Sequence, residues 1–388
     1  TRQNGHQSAV QLSIEGVTPA DEAFVSSSFT RLALTPNNDN SLANLTLAIA
    51  DLPILAQQRS FRISATDGAE LHVITINVDV QPVNAPDVYL LAGQSNMVGF
   101  SGEGTKQAFS GGPDEPNARI FQLNVTPNDQ NSIFLAEQDF TSPTTISAQP
   151  SITIAEDPLH IPFDTMLNGK ALDYIGLGMS FARAALPNTS NNIILVPAAW
   201  SGSAFCANDQ GPPGQWNAQP TSDPALGNTW LFDRAIARTN LALQLTGGIL
   251  RGILWHQGES DSNEACSVSY AANLERLAQE LRINIAPDLR GGDLRRNTSN
   301  IPFVVGTMSR GIDSREDLSQ FNESKQRVDN AHRNLPATIA SAGLSNHDDL
   351  VPANGFSCGN TSCVHFGAEA LRVMGLRYYN ALRRAAGQ

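Results

Sequence analysis

Two hydrophobic rhythms run along this chain, and the change between them falls near residue 85. Over residues 1–84, the stretches "AVQLSIEGV", "RLALTP", "NLTLAIADL", "FRISATDG" and "LHVITINVDVQPV" alternate apolar and polar positions, with Asn, Asp, Gly and Pro between them. Period-two alternation sends successive side chains to opposite faces of a strand, so this region predicts a small all-β sandwich. "PVNAP" reads as a linker. From Asp87 the apolar residues gather into runs of strand length: "DVYLLA" (87–92), "NIILVPA" (192–198), "RGILWH" (251–256), "PFVVGT" (302–307) and "ATIASA" (337–342). Between them lie helical patterns, "GLGMSFARAAL", "LFDRAIARTNLALQL", "YAANLERLAQELR", "LSQFNESKQRVDNAHRNL" and "GAEALRVMGLRYYNALRRA". Continuous apolar strands alternating with helices predict a five-stranded parallel sheet over 87–388, covered on both faces. The Gly-, Pro-, Asn- and Ser-rich stretch 101–170 reads as long surface loops.

Length and composition sharpen this picture. A chain of 388 residues accommodates two domains, and 41% hydrophobic with 16% charged residues describes a soluble protein with a sizeable core. No apolar run approaches the ~20 residues of a membrane-spanning helix, so no membrane insertion is expected. No signal peptide is visible at Thr1, which fits a mature or trimmed chain. The net charge of −12 argues against nucleic acid as a partner and fits an uncharged substrate. The four cysteines predict two disulfides and an oxidising compartment; locality pairs Cys358 with Cys363 and Cys206 with Cys266. Without a Cys-x-x-Cys pair, zinc is the weaker reading, and no metal is expected.

Ligands of open parallel sheets sit beyond the carboxyl ends of the strands. Three polar segments follow predicted strands: Gly93-Gln94-Ser95-Asn96-Met97, Trp200-Ser201-Gly202-Ser203 and His256-Gln257-Gly258-Glu259-Ser260-Asp261. A fourth, Cys363-Val364-His365-Phe366-Gly367, precedes the last helix. This placement lets Ser95 and His365 meet. A serine hydroxyl needs a neutral imidazole to take its proton as it attacks, and the resulting oxyanion needs preorganised donors. The backbone N–H groups of Ser95 and Gly202 and the Gln257 amide are candidates for that hole. Ser95 as a mere helix cap is the competing reading. Gln94, Asn96 and His256 are expected to support the loops, while His332 and His347 carry no motif and read as surface or loop residues. Trp216, in "DQGPPGQWNAQP", is the tryptophan expected to face a substrate.

"LLAGQSNMVG", "AAWSGSAF", "WHQGESD" and "VHFGAEALRVMGLRYYNAL" together resemble the sialate O-acetylesterase and acetylxylan esterase group, carbohydrate esterase family 6 and its relatives within the SGNH hydrolases. The resemblance spans most of 87–388. It implies a flavodoxin-like three-layer α/β/α sandwich that removes acetyl groups from sugars without a cofactor. It also implies Ser95 as nucleophile, His365 as base, and Gly202 and Gln257 in the oxyanion hole. Relatives carry an aspartate three residues before the histidine; here that residue is Ser362. A backbone carbonyl near Ser362 in a Ser–His dyad, Glu259, or Asp348 or Asp349 remain open as the third member, whose work is to orient the imidazole. A GDSL-like lipase or arylesterase is the alternative enzyme. A non-catalytic carbohydrate-binding or adhesion protein is the alternative of another class. The chain is expected to be secreted, extracellular or periplasmic, and bacterial. "FRISATDGAELHVITINVDVQPVNAP" resembles the closing strands of cadherin-like repeats of bacterial surface proteins, without their acidic calcium motifs, and residues 1–84 are expected to serve as a sugar-binding module or a spacer.

Overall fold

A computed structural model describes residues 11–17, 29–34, 45–49, 57–66, 71–80, 85–99, 106–124, 151–160, 174–206, 215–218, 229–285, 301–310, 321–350 and 364–387. The chain divides into two compact units with the boundary between Ala85 and Pro86.

The first unit contains strands β1 (Gln11–Gly16), β2 (Phe29–Leu34), β3 (Leu45–Ile49), β4 (Gln57–Thr66) and β5 (Leu71–Val80). β1, β4 and β5 form an antiparallel sheet in that order, and β2 pairs antiparallel with β3. Cross-strand partners reinforce the register, as where Arg62 of β4 donates to Glu15 of β1.

The second unit is built on a seven-stranded sheet. Its strands are β6 (Asp87–Gly93), β7 (Ile120–Asn124), β8 (Ser151–Ile154), β9 (Ile193–Pro197), β10 (Ile249–His256), β11 (Phe303–Gly306) and β12 (Ala342–Ser345). The order is β12-β11-β10-β6-β9-β7-β8, and every pairing is parallel except β8 with β7. The chain fills one side of β6 with β7, β8 and β9, then crosses to the other side with β10. The strand order therefore reverses at β6, and the crevice of such a switch point opens at the carboxyl ends of β6, β9 and β10.

Two expectations are corrected here. The sheet has seven strands rather than five, because 101–170 supplies β7 and β8. The antiparallel β8 is half exposed at the sheet edge, so its short "SITI" run lacks the apolar continuity of a central strand. The last strand lies at 342–345, not 337–342. Its sequence, Ala-Gly-Leu-Ser, is mostly small residues on the opposite edge, while the preceding helix runs on through Pro336 to Thr338.

The five helical patterns fold as α2 (Gly178–Ala185), α3 (Trp230–Thr246), α5 (Tyr270–Asn284), α6 (Glu323–Thr338) and α7 (Ala368–Ala385), with one-turn helices α1 (Ser95–Val98) and α4 (Glu264–Ser267). The Asn322 side chain caps α6 by accepting from Lys325 N–H at 2.9 Å, one of the orphan donors of a helix start. α2 and α7 pack with Tyr89 and Leu91 of β6 and Leu195 of β9 in one apolar cluster. Val88, Leu90 and Val196, which point the other way, are equally buried. Central strands covered on both sides explain the unbroken apolar run of β6.

Candidate active site

The turn leaving β6 depends on Gly93. Its φ is +131°, and a Cβ there would lie 2.1 Å from the carbonyl oxygen of His256. Glycine alone permits this approach. Gln94 N–H donates to that same carbonyl at 2.8 Å, and Trp200 N–H donates to Gly93 O at 2.9 Å. The ends of β6, β9 and β10 are thereby tied together, and the chain turns directly into α1 with Ser95 as its first residue.

Oγ of Ser95 lies 2.9 Å from Nε2 of His365, from which it is separated by 270 residues of sequence. The helix-capping position belongs to Gln94, and the Ser95 hydroxyl faces the imidazole instead. Burial lowers the His365 pKa to about 4, so the ring is neutral near pH 7 and can accept a proton. The N–H of Ser95, as the first in its helix, has no intrahelical acceptor. Gly202 sits exposed in a left-handed turn beyond β9, at φ +73°. A hydroxyl beside a neutral imidazole and a helix-start N–H form a constellation suited to acyl transfer.

The residues flanking Ser95 hold this arrangement. Gln94 Oε1 accepts from Gly258 N–H at 3.4 Å and Ser260 N–H at 3.3 Å. Asn96 Nδ2 donates to Glu259 Oε1 at 2.8 Å and to Val364 O at 2.9 Å, and its Oδ1 accepts from Phe366 N–H at 3.0 Å.

The structure places Gln257 in a bracing position. Its Nε2 donates to Ser203 O at 3.1 Å and to Asp261 Oδ2 at 2.7 Å, and its Oε1 accepts from Tyr270 at 3.0 Å. Both amide hydrogens are thus engaged within the loops, which leaves none for an oxyanion. The Asp261 carboxylate also accepts from the N–H groups of Phe205 and Cys206, and burial lifts its pKa to about 6.

The carboxylates offered as a third triad member all have other partners. Glu259 binds Asn96, Asp348 binds Arg333 and Arg310, and Asp349 binds Arg377. Ser362 and the Cys358–Cys363 pairing lie outside the described residues. Cys206 and Cys266 are disulfide-bonded. They stand near Asp261 in the one grouping with metal-ligand spacing among the described residues. Cysteines in a disulfide present no thiolate for an ion.

Three buried residues depart from expectation. His332 and His347 are fully buried rather than superficial, and each makes ring hydrogen bonds inside the core, although Nδ1 of His332 has no hydrogen-bond partner among the described residues. His332 Nε2 meets Tyr270 OH at 2.9 Å, and His347 lies between Ser345 Oγ at 2.8 Å and Thr307 O at 3.2 Å. Trp216 is also buried and faces no solvent; its indole donates to Ser203 Oγ at 2.8 Å and its ring packs edge-on against Trp255.

His256 ends β10. Tyr378 OH donates to Trp255 O at 2.7 Å, so its oxygen accepts from His256 Nδ1 at 2.9 Å and leaves Nε2 without the proton. That nitrogen faces Glu259 Oε1 at 3.8 Å. Burial pushes the imidazole pKa down and the carboxyl pKa up, so both shifts work against an ion pair between them. Sequence reasoning missed Asp261, Tyr270 and Tyr378 as supports. Asp261 stood at the end of "WHQGESD" and Tyr378 within "VHFGAEALRVMGLRYYNAL", whereas Tyr270 stood in no such block.

Residues 85–384 match the family described as carbohydrate esterase, sialic acid-specific acetylesterase. A probable carbohydrate esterase of Arabidopsis thaliana, At4g34215, is 30% identical over 207 residues, which is 52% of this chain and 65% of that protein. The chain thus spans just under two thirds of that relative's length. The solved structure of the Arabidopsis protein AT4G34215 superposes with a TM-score of 0.51 at 21% identity, covering 77% of this chain and 98% of that one. NanS superposes with a TM-score of 0.51 at 17% identity, covering 79% and 98%. At those identities the likeness is one of fold. The match to the family over most of the chain assigns it: the protein belongs to the carbohydrate esterase, sialic acid-specific acetylesterase family.

Proposed function

We propose that this protein is a serine carbohydrate O-acetylesterase that works through an acetyl-serine intermediate. The observation carrying this reading is the 2.9 Å contact between Ser95 Oγ and the neutral His365 imidazole, at the switch-point crevice of the sheet. His365 takes the Ser95 proton as Oγ attacks the acetyl carbonyl. The oxyanion rests on the Ser95 and Gly202 N–H groups. The tetrahedral species collapses to acetyl-Ser95 as His365 returns the proton to the departing sugar oxygen. Water, deprotonated by the same imidazole, then releases acetate.

The substrate in this proposal is an acetylated sugar or polysaccharide, of the sialate or acetylxylan type. The layering is the three-layer α/β/α sandwich of SGNH hydrolases, in keeping with a sheet buried on both sides. The first 84 residues act as a β-sandwich accessory unit, for glycan binding or as a spacer. Secretion is favoured by the Cys206–Cys266 disulfide. Among the described residues no helix is long and apolar enough to cross a membrane.

The test is acetate release from O-acetyl sialic acids, acetylated xylan and acetylated monosaccharides, by the wild type and by Ser95→Ala. Loss of all release in a variant with unchanged circular dichroism is the expected result. Retained turnover would overturn the nucleophile assignment. Faster hydrolysis of long-chain acyl esters than of acetate esters would favour a lipase instead.

A further inference from the structure

His365 arrives at Ser95 on a loop, and a loop needs something to fix it if its imidazole is to stay within 2.9 Å of a hydroxyl. In many serine hydrolases a carboxylate on the imidazole does this. Glu259 stands elsewhere, beside Asn96 at 2.8 Å, while its contact with an imidazole is the 3.8 Å approach to His256.

Asn96 holds the residues on both sides of His365. Phe366 N–H can only donate, so the atom 3.0 Å from it must be the Asn96 carbonyl oxygen, and this fixes the orientation of the amide. Both remaining hydrogens then sit on Nδ2, one bound to Val364 O and one to Glu259 Oε1. Both amide hydrogens are engaged, the oxygen accepts from Phe366, and the residue is buried. Phe366 anchors the far side of the loop, fully buried with its ring edge-on to His256 and His347.

We propose that Asn96, oriented by Glu259, is a positioning residue for His365, and that Glu259 serves catalysis as a hydrogen-bond acceptor rather than as a charge on the imidazole. This rests on the Ser95–His365 reading above. It assigns the span between strand β6, the loop after β10 and the loop before α7 to one side-chain amide. The glutamate has a single task in it, which any acceptor oxygen of the same reach can perform.

The two roles of Glu259 predict opposite results for one substitution. A charge role is lost in Glu259→Gln as fully as in Glu259→Ala, whereas an acceptor role survives in the glutamine. The experiment measures kcat and KM for acetate release by Asn96→Ala, Glu259→Ala, Glu259→Gln and the Asn96→Ala/Glu259→Ala double variant, with circular dichroism on each. Asn96→Ala is expected to lose about 10²-fold in kcat, the cost of a misplaced reacting group, with KM within about threefold of wild type. Glu259→Gln should recover at least about tenfold over Glu259→Ala. The double variant should be no worse than Asn96→Ala beyond about threefold, since the glutamate acts through the asparagine. Glu259→Gln as impaired as Glu259→Ala, or a double variant whose loss equals the product of the single losses, would overturn the proposal. If Asn96→Ala does not fold, the two Glu259 variants decide alone. Ser95→Ala separates the two readings. Its retained activity would mean the nucleophile is wrong, whereas its inactivity together with a failed glutamine rescue would mean that only the positioning role is wrong.

Discussion

Nε2 of His365 stands 2.9 Å from Oγ of Ser95, in surroundings whose burial brings the imidazole pKa down to about 4. A base must be neutral to accept a proton, and a lowered pKa keeps it neutral further into acid. The acid limb of kcat/KM, which reports the free enzyme, is therefore expected near pH 4 rather than near the ordinary histidine value of about 6.5. Acetate release between pH 3 and 8, with circular dichroism to exclude unfolding, measures it. A limb at the ordinary value would show that His365 is solvated or is not the base.

Gly93 sets the approach of β6 to β10. A methyl at this position would meet the His256 carbonyl at 2.1 Å, on a backbone at φ +131° that alanine resists. Relief requires the two strand ends to part, which carries Ser95 with them. Gly93→Ala is expected to lose on the order of 10²-fold in kcat through misplacement of the hydroxyl. Steady-state kinetics on the folded variant decide the matter, and wild-type turnover would show that the close approach is dispensable.

Asp261 is a structural acceptor, with three buried donors, Phe205 N–H, Cys206 N–H and Gln257 Nε2, converging on its carboxylate. Asp261→Ala strands all three, at about 1–3 kcal/mol each, so urea unfolding should show a loss of several kcal/mol. Asp349→Asn removes a mostly exposed partner of Arg377 and should cost less than about 1 kcal/mol. Equal effects of the two would refute the distinction.

The Cys206–Cys266 disulfide closes a loop of 60 residues and adjoins the Asp261 contacts. Replacing both cysteines with serine should lower stability by about 2–4 kcal/mol, seen as a lower Tm and urea midpoint. A variant melting with the wild type would remove the disulfide from the account of loop order.

Much of the catalytic unit was legible in the sequence because its signals are local. β6 and β10 are continuous apolar runs, and α7 carries its buried positions Ala370, Leu371, Met374, Tyr378 and Leu382 at helical spacing. β12 escaped because Ala342, Gly343 and Ser345 have no apolar signature. β7 and β8 escaped because the segment around them is rich in loop-forming residues. His332 and His347 looked superficial for a related reason. Their burial depends on Tyr270, Ser345 and Thr307, partners that no spacing rule connects to them.

By itself, then, the sequence determined where the central strands and the long helices of the second unit form and which polar segments follow those strands, because periodicity and turn chemistry act between near neighbours. Through its motifs it also named Ser95 and His365 as candidates. Only the tertiary structure decided what those segments touch: that Gln257 braces Asp261, that Glu259 meets Asn96 across 163 residues, and that Asn96 grips both sides of His365 across 268 and 270. The physical reason is that a hydrogen bond is fixed by distance and direction in space, and these are set by how the sheet reverses at β6, not by separation along the chain.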